Sequence, residues 1–109
     1  MDQSELVELA TDKGYKGLNN LWFDKNNLSE PHWYVELCLM RKWLWEEHDR
    51  HIMVEPVLDE DTGDTEFIGW VIVDESASEE EEYHKSPIIA MEHALKEAFE
   101  MLKDLTESL

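Results

Sequence analysis

The chain has 109 residues, 27 of them acidic and 9 basic, for a formal net charge of -18 with neutral histidines. It is 42% hydrophobic with one cysteine, which fits a single domain over residues 1–109 with a modest core and excludes a disulfide scaffold. The charge excludes a protein that grips nucleic acid through a basic face, and every apolar run is broken by charge too early to span a bilayer.

The opening Met1-Asp2-Gln3-Ser4-Glu5 lacks the basic start and apolar run of a secretory signal, so a cytoplasmic location is expected. Cys38 sits in an apolar segment with no basic partner placed to lower its pKa. It reads as a small buried hydrophobe in a reducing compartment. The acid is unevenly spread: residues 59–82 hold 11 carboxylates and no base.

Residues 2–13 read as a short amphipathic helix, with Asp2 and Glu5 as a capping pair and Leu6, Leu9 and Ala10 on one face. Gly14 supplies the stop. Residues 15–30 read as an irregular link rich in turn formers. Leu18, Leu21, Trp22, Phe23 and Leu28 make it apolar enough to pack down. Residues 31–48 read as a central helix capped by Ser29 or Glu30, with Pro31 in its first turn. Its broad apolar arc runs from Met40, Trp33, Leu44 and Leu37 round to Tyr34, Trp45 and Cys38. A second stripe, Val35, Leu39 and Trp43, lies opposite among His32, Glu36 and Glu46. A helix apolar on two sides is covered on two sides, here by another element of the chain or by a partner.

Residues 51–58 and 67–74 read as an antiparallel hairpin. Ile52, Val54 and Leu58 alternate in the first strand, and Ile68, Trp70 and Ile72 in the second. Phe67, Val71 and Val73 make the other face of the second strand apolar too. Pro56 suits an edge. Residues 75–82 read as an acidic flexible loop. Residues 87–105 read as the last helix, with Ser86 as N-cap, Pro87 first, and Ile88, Met91, Leu95, Ala98, Leu102 and Leu105 stepping by three and four. Glu92 and Lys96 have the spacing of a surface ion pair. The order α-α-β-β-α, with room for a third short strand, predicts a two-layer α+β domain whose hairpin is packed by the C-terminal helix.

The run Leu39-Met40-Arg41-Lys42-Trp43-Leu44-Trp45-Glu46-Glu47-His48, with Ile52-Met53-Val54 after it, resembles a segment of small phage and prophage proteins of Bacteroides-type gut bacteria. So do the ending Tyr83…Ala90-Met91-Glu92-His93-Ala94-Leu95-Lys96-Glu97-Ala98 and the opening Glu5-Leu6-Val7-Glu8-Leu9-Ala10…Lys13-Gly14-Tyr15. The resemblance spans most of the chain and implies a bacterial cytosol and a mobile-element accessory role. Those proteins carry no assigned activity, so no functional residue is carried over. The acidic stretch 59–82 is longer and more acidic here than in that pattern.

Asp59-Glu60-Asp61-Thr62-Gly63-Asp64 fails the EF-hand pattern: counted from Asp59, Gly63 stands fifth, Asp64 sixth and Trp70 twelfth. His48 and His51 are three apart with Glu46 and Glu47 before them, which is not the zincin spacing. No nucleophile elbow or phosphate-cradling glycine loop is present, and no catalytic residue, metal or cofactor is expected. Two non-enzymatic roles remain. In the first, Val35, Leu39 and Trp43 bind a protein partner or a second copy of the chain. In the second, Asp59, Glu60, Asp61, Asp64, Glu66, Glu79, Glu80, Glu81 and Glu82 mimic a nucleic-acid backbone and block a basic groove on a host protein. Neither role needs membrane or direct nucleic-acid binding. The rival reading of the acids is solubility and a protected sheet edge.

Like charges crowded into residues 59–82 repel, and salt screens that repulsion. The melting temperature near pH 7 is therefore expected to rise as sodium chloride goes from about 0.01 to about 0.5 M, since the Debye length falls from about 30 Å to well under 10 Å. A flat thermal-melt series would mean that these carboxylates are far apart or already paired.

Overall fold

The computed structural model describes residues 3–16, 30–73, 76–79 and 83–102, the side chains of residues 30, 31 and 76–79 excepted. In chain order the elements are α1 (Gln3–Asp12), α2 (Glu30–His48), β1 (Arg50–Leu58), β2 (Thr65–Val73), β3 (Ser76–Glu79) and α3 (Pro87–Glu100). The expected packing of residues 17–29, a cap at Ser29 and the inward step of Leu105 fall outside the described residues.

Local chemistry sets the element ends. The Tyr15 N–H bonds the Ala10 carbonyl at 3.0 Å and the Gly14 N–H bonds that of Thr11 at 3.0 Å, with Gly14 at φ 108°. This double closure needs a left-handed residue, which glycine supplies without a Cβ clash. It turns the chain so that Tyr15 enters the core. The Ser86 hydroxyl accepts the Ile88 N–H at 3.2 Å and the Ile89 N–H at 3.5 Å, with Pro87 first in α3. Between α2 and β1 stands one residue, Asp49, at φ 52°. Its N–H bonds the Trp45 carbonyl at 3.2 Å, and Arg50 donates to the His48 carbonyl at 3.0 Å, so the helix end is satisfied without glycine.

The strands form one antiparallel sheet in the order β1-β2-β3. The β1–β2 register pairs Ile52 with Val71 and Met53 with Trp70. Ile52, Val54, Val71 and Val73 therefore share the face toward the core, while His51, Met53, Trp70 and Ile72 share the other. The turn at 59–64 closes with the Gly63 N–H on the Asp59 carbonyl at 2.7 Å, Gly63 taking φ 76°. Part of the segment expected to be a flexible loop is instead strand: Ser76–Glu79 pairs with Trp70–Val73. Ser76-Ala77-Ser78-Glu79 has no apolar alternation to announce a strand, and the free edge of β2 supplies the hydrogen bonds.

Helix α3 packs against β1, β2, α1 and α2. Two rows on it are buried, Ala90–Ala94–Ala98 and Met91–Leu95–Phe99, each stepping by four. The alanines let neighbouring backbones approach, and the larger row fills the space between. The helix ends five residues before the expected limit, and Leu102, just beyond it, packs partly buried on the core. From α2, Trp33, Leu37, Met40 and Leu44 are buried, and from α1, Leu6 and Ala10.

Two carboxylates lie inside this core. Glu36 is 1% exposed and accepts the Tyr15 hydroxyl at 2.7 Å. Glu92 is 8% exposed and accepts the Trp33 indole N–H at 3.0 Å. The second corrects the expected Glu92–Lys96 surface pair: Lys96 reaches Glu5 at 3.8 Å and Glu100 at 3.9 Å instead. Burial raises both carboxyl pKa values above the ordinary range, against the single hydrogen bond that lowers each. Burial and the Glu36 carboxylate together push the Tyr15 phenol far above its usual value.

A carboxyl whose folded pKa is raised adds stability that is complete below its unfolded pKa and lost as pH rises through the folded one. Glu36→Gln keeps the acceptor and the volume but cannot ionise. In urea titrations it should match the parent near pH 4 and exceed it near pH 8. Glu36→Ala, which deletes the Tyr15–Glu36 bond, should cost about 1–3 kcal/mol. A Gln variant less stable than the parent at pH 8 would show that the ionised carboxylate is the form the core requires.

Candidate functional site

The apolar arc of α2 is wider than the other described residues cover. Trp33, Leu37, Met40 and Leu44 face inward, but Tyr34 is 47% and Trp45 is 57% exposed, and Cys38 is half-buried. Residues 34, 38, 41 and 45 step by four, three and four, so they form one outer stripe along the helix. That stripe runs beside the sheet face turned away from α3, where Ile68 is buried but Met53 is 44% exposed.

Between them lies a cleft of about 540 Å³. Trp45 and Cys38 form its helical wall, and Ile52, Met53 and Ile72 its strand wall. Trp45 faces His51 across it, with ring centroids 5.9 Å apart. Arg41, Lys42 and His51 are its ionisable lining besides the Cys38 thiol, and among the described residues no carboxylate lines it. Lys42 lies 3.7 Å from Glu46, and His51 lies 3.3 Å from Asp49. Arg41 is exposed and makes no ion pair among the described residues. A second, smaller hollow of about 270 Å³ between α1 and α3 is the opposite in charge, lined by Glu5, Glu8, Asp12 and Glu100 with Lys96.

Of the two covers the sequence left open for the Val35–Leu39–Trp43 stripe, another element of the chain or a partner, the chain itself supplies the one over Trp43 and part of Leu39. Trp43 packs into the chain's own core, with its ring 5.8 Å from Tyr15, 6.0 Å from Phe99 and 4.6 Å from His48. Leu39 packs partly buried on the same core, and Val35 alone of the three is exposed. The physical reason is the turn at Gly14, which swings Tyr15 over this side of α2. Glu36, expected beside the stripe, is buried there and accepts the hydroxyl of the same Tyr15.

Asp59, Glu60, Asp61 and Asp64 lie on the β1–β2 turn, where the Asp59 carboxylate accepts the Asp61 N–H at 3.0 Å. Glu66 is partly buried and holds Lys85 at 3.1 Å, a cation from beyond the base-free stretch that sequence counting left out. Glu66 raises the Lys85 pKa, chiefly through that hydrogen bond. Glu79 belongs to β3, its side chain outside the described set, and Glu80, Glu81 and Glu82 lie outside the described residues.

His48 and His51 are not brought together. The His48 ring packs on Trp43 and the His51 ring on Trp45. Burial and then the Arg50 charge lower the His48 pKa. Among the described residues no three His, Cys, Asp or Glu side chains gather as a metal would need. Neither buried carboxylate lines the cleft. No described helix is long and apolar enough to cross a membrane.

Sequence reasoning missed the cleft: it named none of its lining residues as a site and assigned Tyr34, Trp45 and Cys38 to the apolar arc of α2. The available signal was the width of the arc, which nearly encircles the helix. Comparison with protein-family models, with curated proteins and with solved structures finds no match to this chain.

Proposed function

We propose that this chain is a small, non-enzymatic interaction protein that docks a protein partner on the face built from the outer stripe of α2 and the adjoining part of the sheet around Met53. The observation that carries this reading is the exposure of Tyr34, Trp45 and Met53 on that face. Large aromatic and methionine side chains left in water cost free energy that a partner recovers, and these residue types are enriched at interfaces. The resemblance to phage and prophage proteins supports an accessory role in a mobile element.

The acidic turn offers a second surface, suited to a basic partner. Asp59, Glu60, Asp61 and Asp64 crowd one end of the hairpin, and Lys85 offsets only Glu66 by direct contact. The two surfaces differ in salt response. A partner held by apolar burial stays bound as ionic strength rises, whereas one held by exposed carboxylates is released.

Affinity capture from the native host, with the intact chain and with Trp45→Asp, separates them. The exposed position predicts a stability change within about 0.5 kcal/mol for Trp45→Asp. The expected result is a protein retained in high salt by the parent chain and lost with the variant. Equal retention by both would remove the proposed face. A partner present only at low salt and indifferent to Trp45 would move the function to the hairpin tip.

A further inference from the structure

We propose that the cleft between α2 and the outer face of the sheet binds a small amphipathic carboxylate, an alkyl or aryl body carrying one anionic group. Such binding goes beyond the docking of a protein and does not depend on it.

Size and charge carry the inference. A cleft of about 540 Å³ falls inside the range of small-ligand sites, roughly 300–1,000 Å³. Its walls are apolar where Trp45, Met53 and Ile72 meet, which suits a hydrocarbon or ring. Its lining lacks the acid that dominates the rest of the molecule. In a chain of 27 acids and 9 bases, the described lining holds Arg41, Lys42 and His51 and no carboxylate. Lys42 and His51 are already engaged by Glu46 and Asp49 at the margin. Arg41 is the cation left to receive an anion, and its planar fork matches a carboxylate in two parallel hydrogen bonds. An apolar body on Trp45 and Met53 with its head on Arg41 would satisfy both parts of the cleft at once.

The net charge makes the test stringent, because a chain at -18 attracts cationic amphiphiles in general and repels anionic ones. At about 0.15 M salt, charges beyond about 8 Å are screened and the local lining decides. The probes are decanoate and decyltrimethylammonium, both below their micellar concentrations, titrated calorimetrically into the intact chain. Cys38, the single cysteine, lies in the cleft wall, so its alkylation rate by neutral iodoacetamide reports occupancy of this place. The expected result is decanoate bound at least about tenfold more tightly than the cation, a difference of about 1.4 kcal/mol. Decanoate should also slow Cys38 alkylation. Arg41→Glu with Lys42→Glu, both at exposed positions, should reverse the preference. Equal or tighter binding of decyltrimethylammonium by the parent chain would overturn the proposal. So would an alkylation rate indifferent to decanoate, or a preference unchanged in the double variant.

Discussion

Burial of two adjacent rows on α3 is the interaction on which the rest of this molecule depends. Strands β1 and β2 and both other helices all pack on this one helix. Ala90, Ala94 and Ala98 bring its backbone close to its neighbours, and Met91, Leu95 and Phe99 fill the resulting space. Each large side chain withdrawn from water contributes about 1.5–3 kcal/mol, against about 1–2 kcal/mol of backbone entropy for every residue ordered. A small domain holds that balance narrowly, so the dense contact around α3 matters more than any surface ion pair. At its C-terminal end Phe99 meets Tyr15 and Trp43, where α1, α2 and α3 converge.

Polar groups are placed where they orient this core. Tyr15 to Glu36 fixes the exit of α1 on α2, and Trp33 to Glu92 fixes α2 on α3. Each bond spans two segments and leaves a carboxylate nearly out of water. Burial favours the protonated acid, so these contacts sacrifice some stability near neutrality while limiting how the helices can pack. On the surface the charge is segregated. Carboxylates crowd the hairpin turn at one place, while the cleft beside α2 has cations and no acid among its described lining. An even coat of acid would serve solubility alone. This segregation gives the two ends of the hairpin different chemistry.

Much of the fold was legible because the strongest signals are local. Ser86-Pro87 marks a helix start by hydrogen bonding and fixed φ, Gly14 marks a stop by backbone freedom, and the alternation around Ile52 and Val71 marks strands. What was illegible depends on tertiary company. Strand β3 has no hydrophobic signature, and its pairing comes from the edge of β2. Glu36 and Glu92 look like solvent residues until an aromatic donor from another segment reaches them. Lys96 has a carboxylate four residues before it, but its partners are Glu100 and Glu5 on α1. On α2, apolar residues nearly encircle the helix, so the sequence shows that two sides want cover without showing which one receives it. Tyr15 decides that by covering Trp43, which leaves Tyr34 and Trp45 on the open side.

The hairpin and α3 form the stabilising body, and the outer stripe of α2 adds little to it. Urea denaturation of Leu95→Ala beside Trp45→Ala, read by circular dichroism, tests this most directly. Leu95→Ala should lose about 2–5 kcal/mol, as for a large side chain removed from a packed core. Trp45→Ala should change stability by no more than about 0.5 kcal/mol, as for a surface position. A small loss at Leu95 with a large one at Trp45 would contradict it.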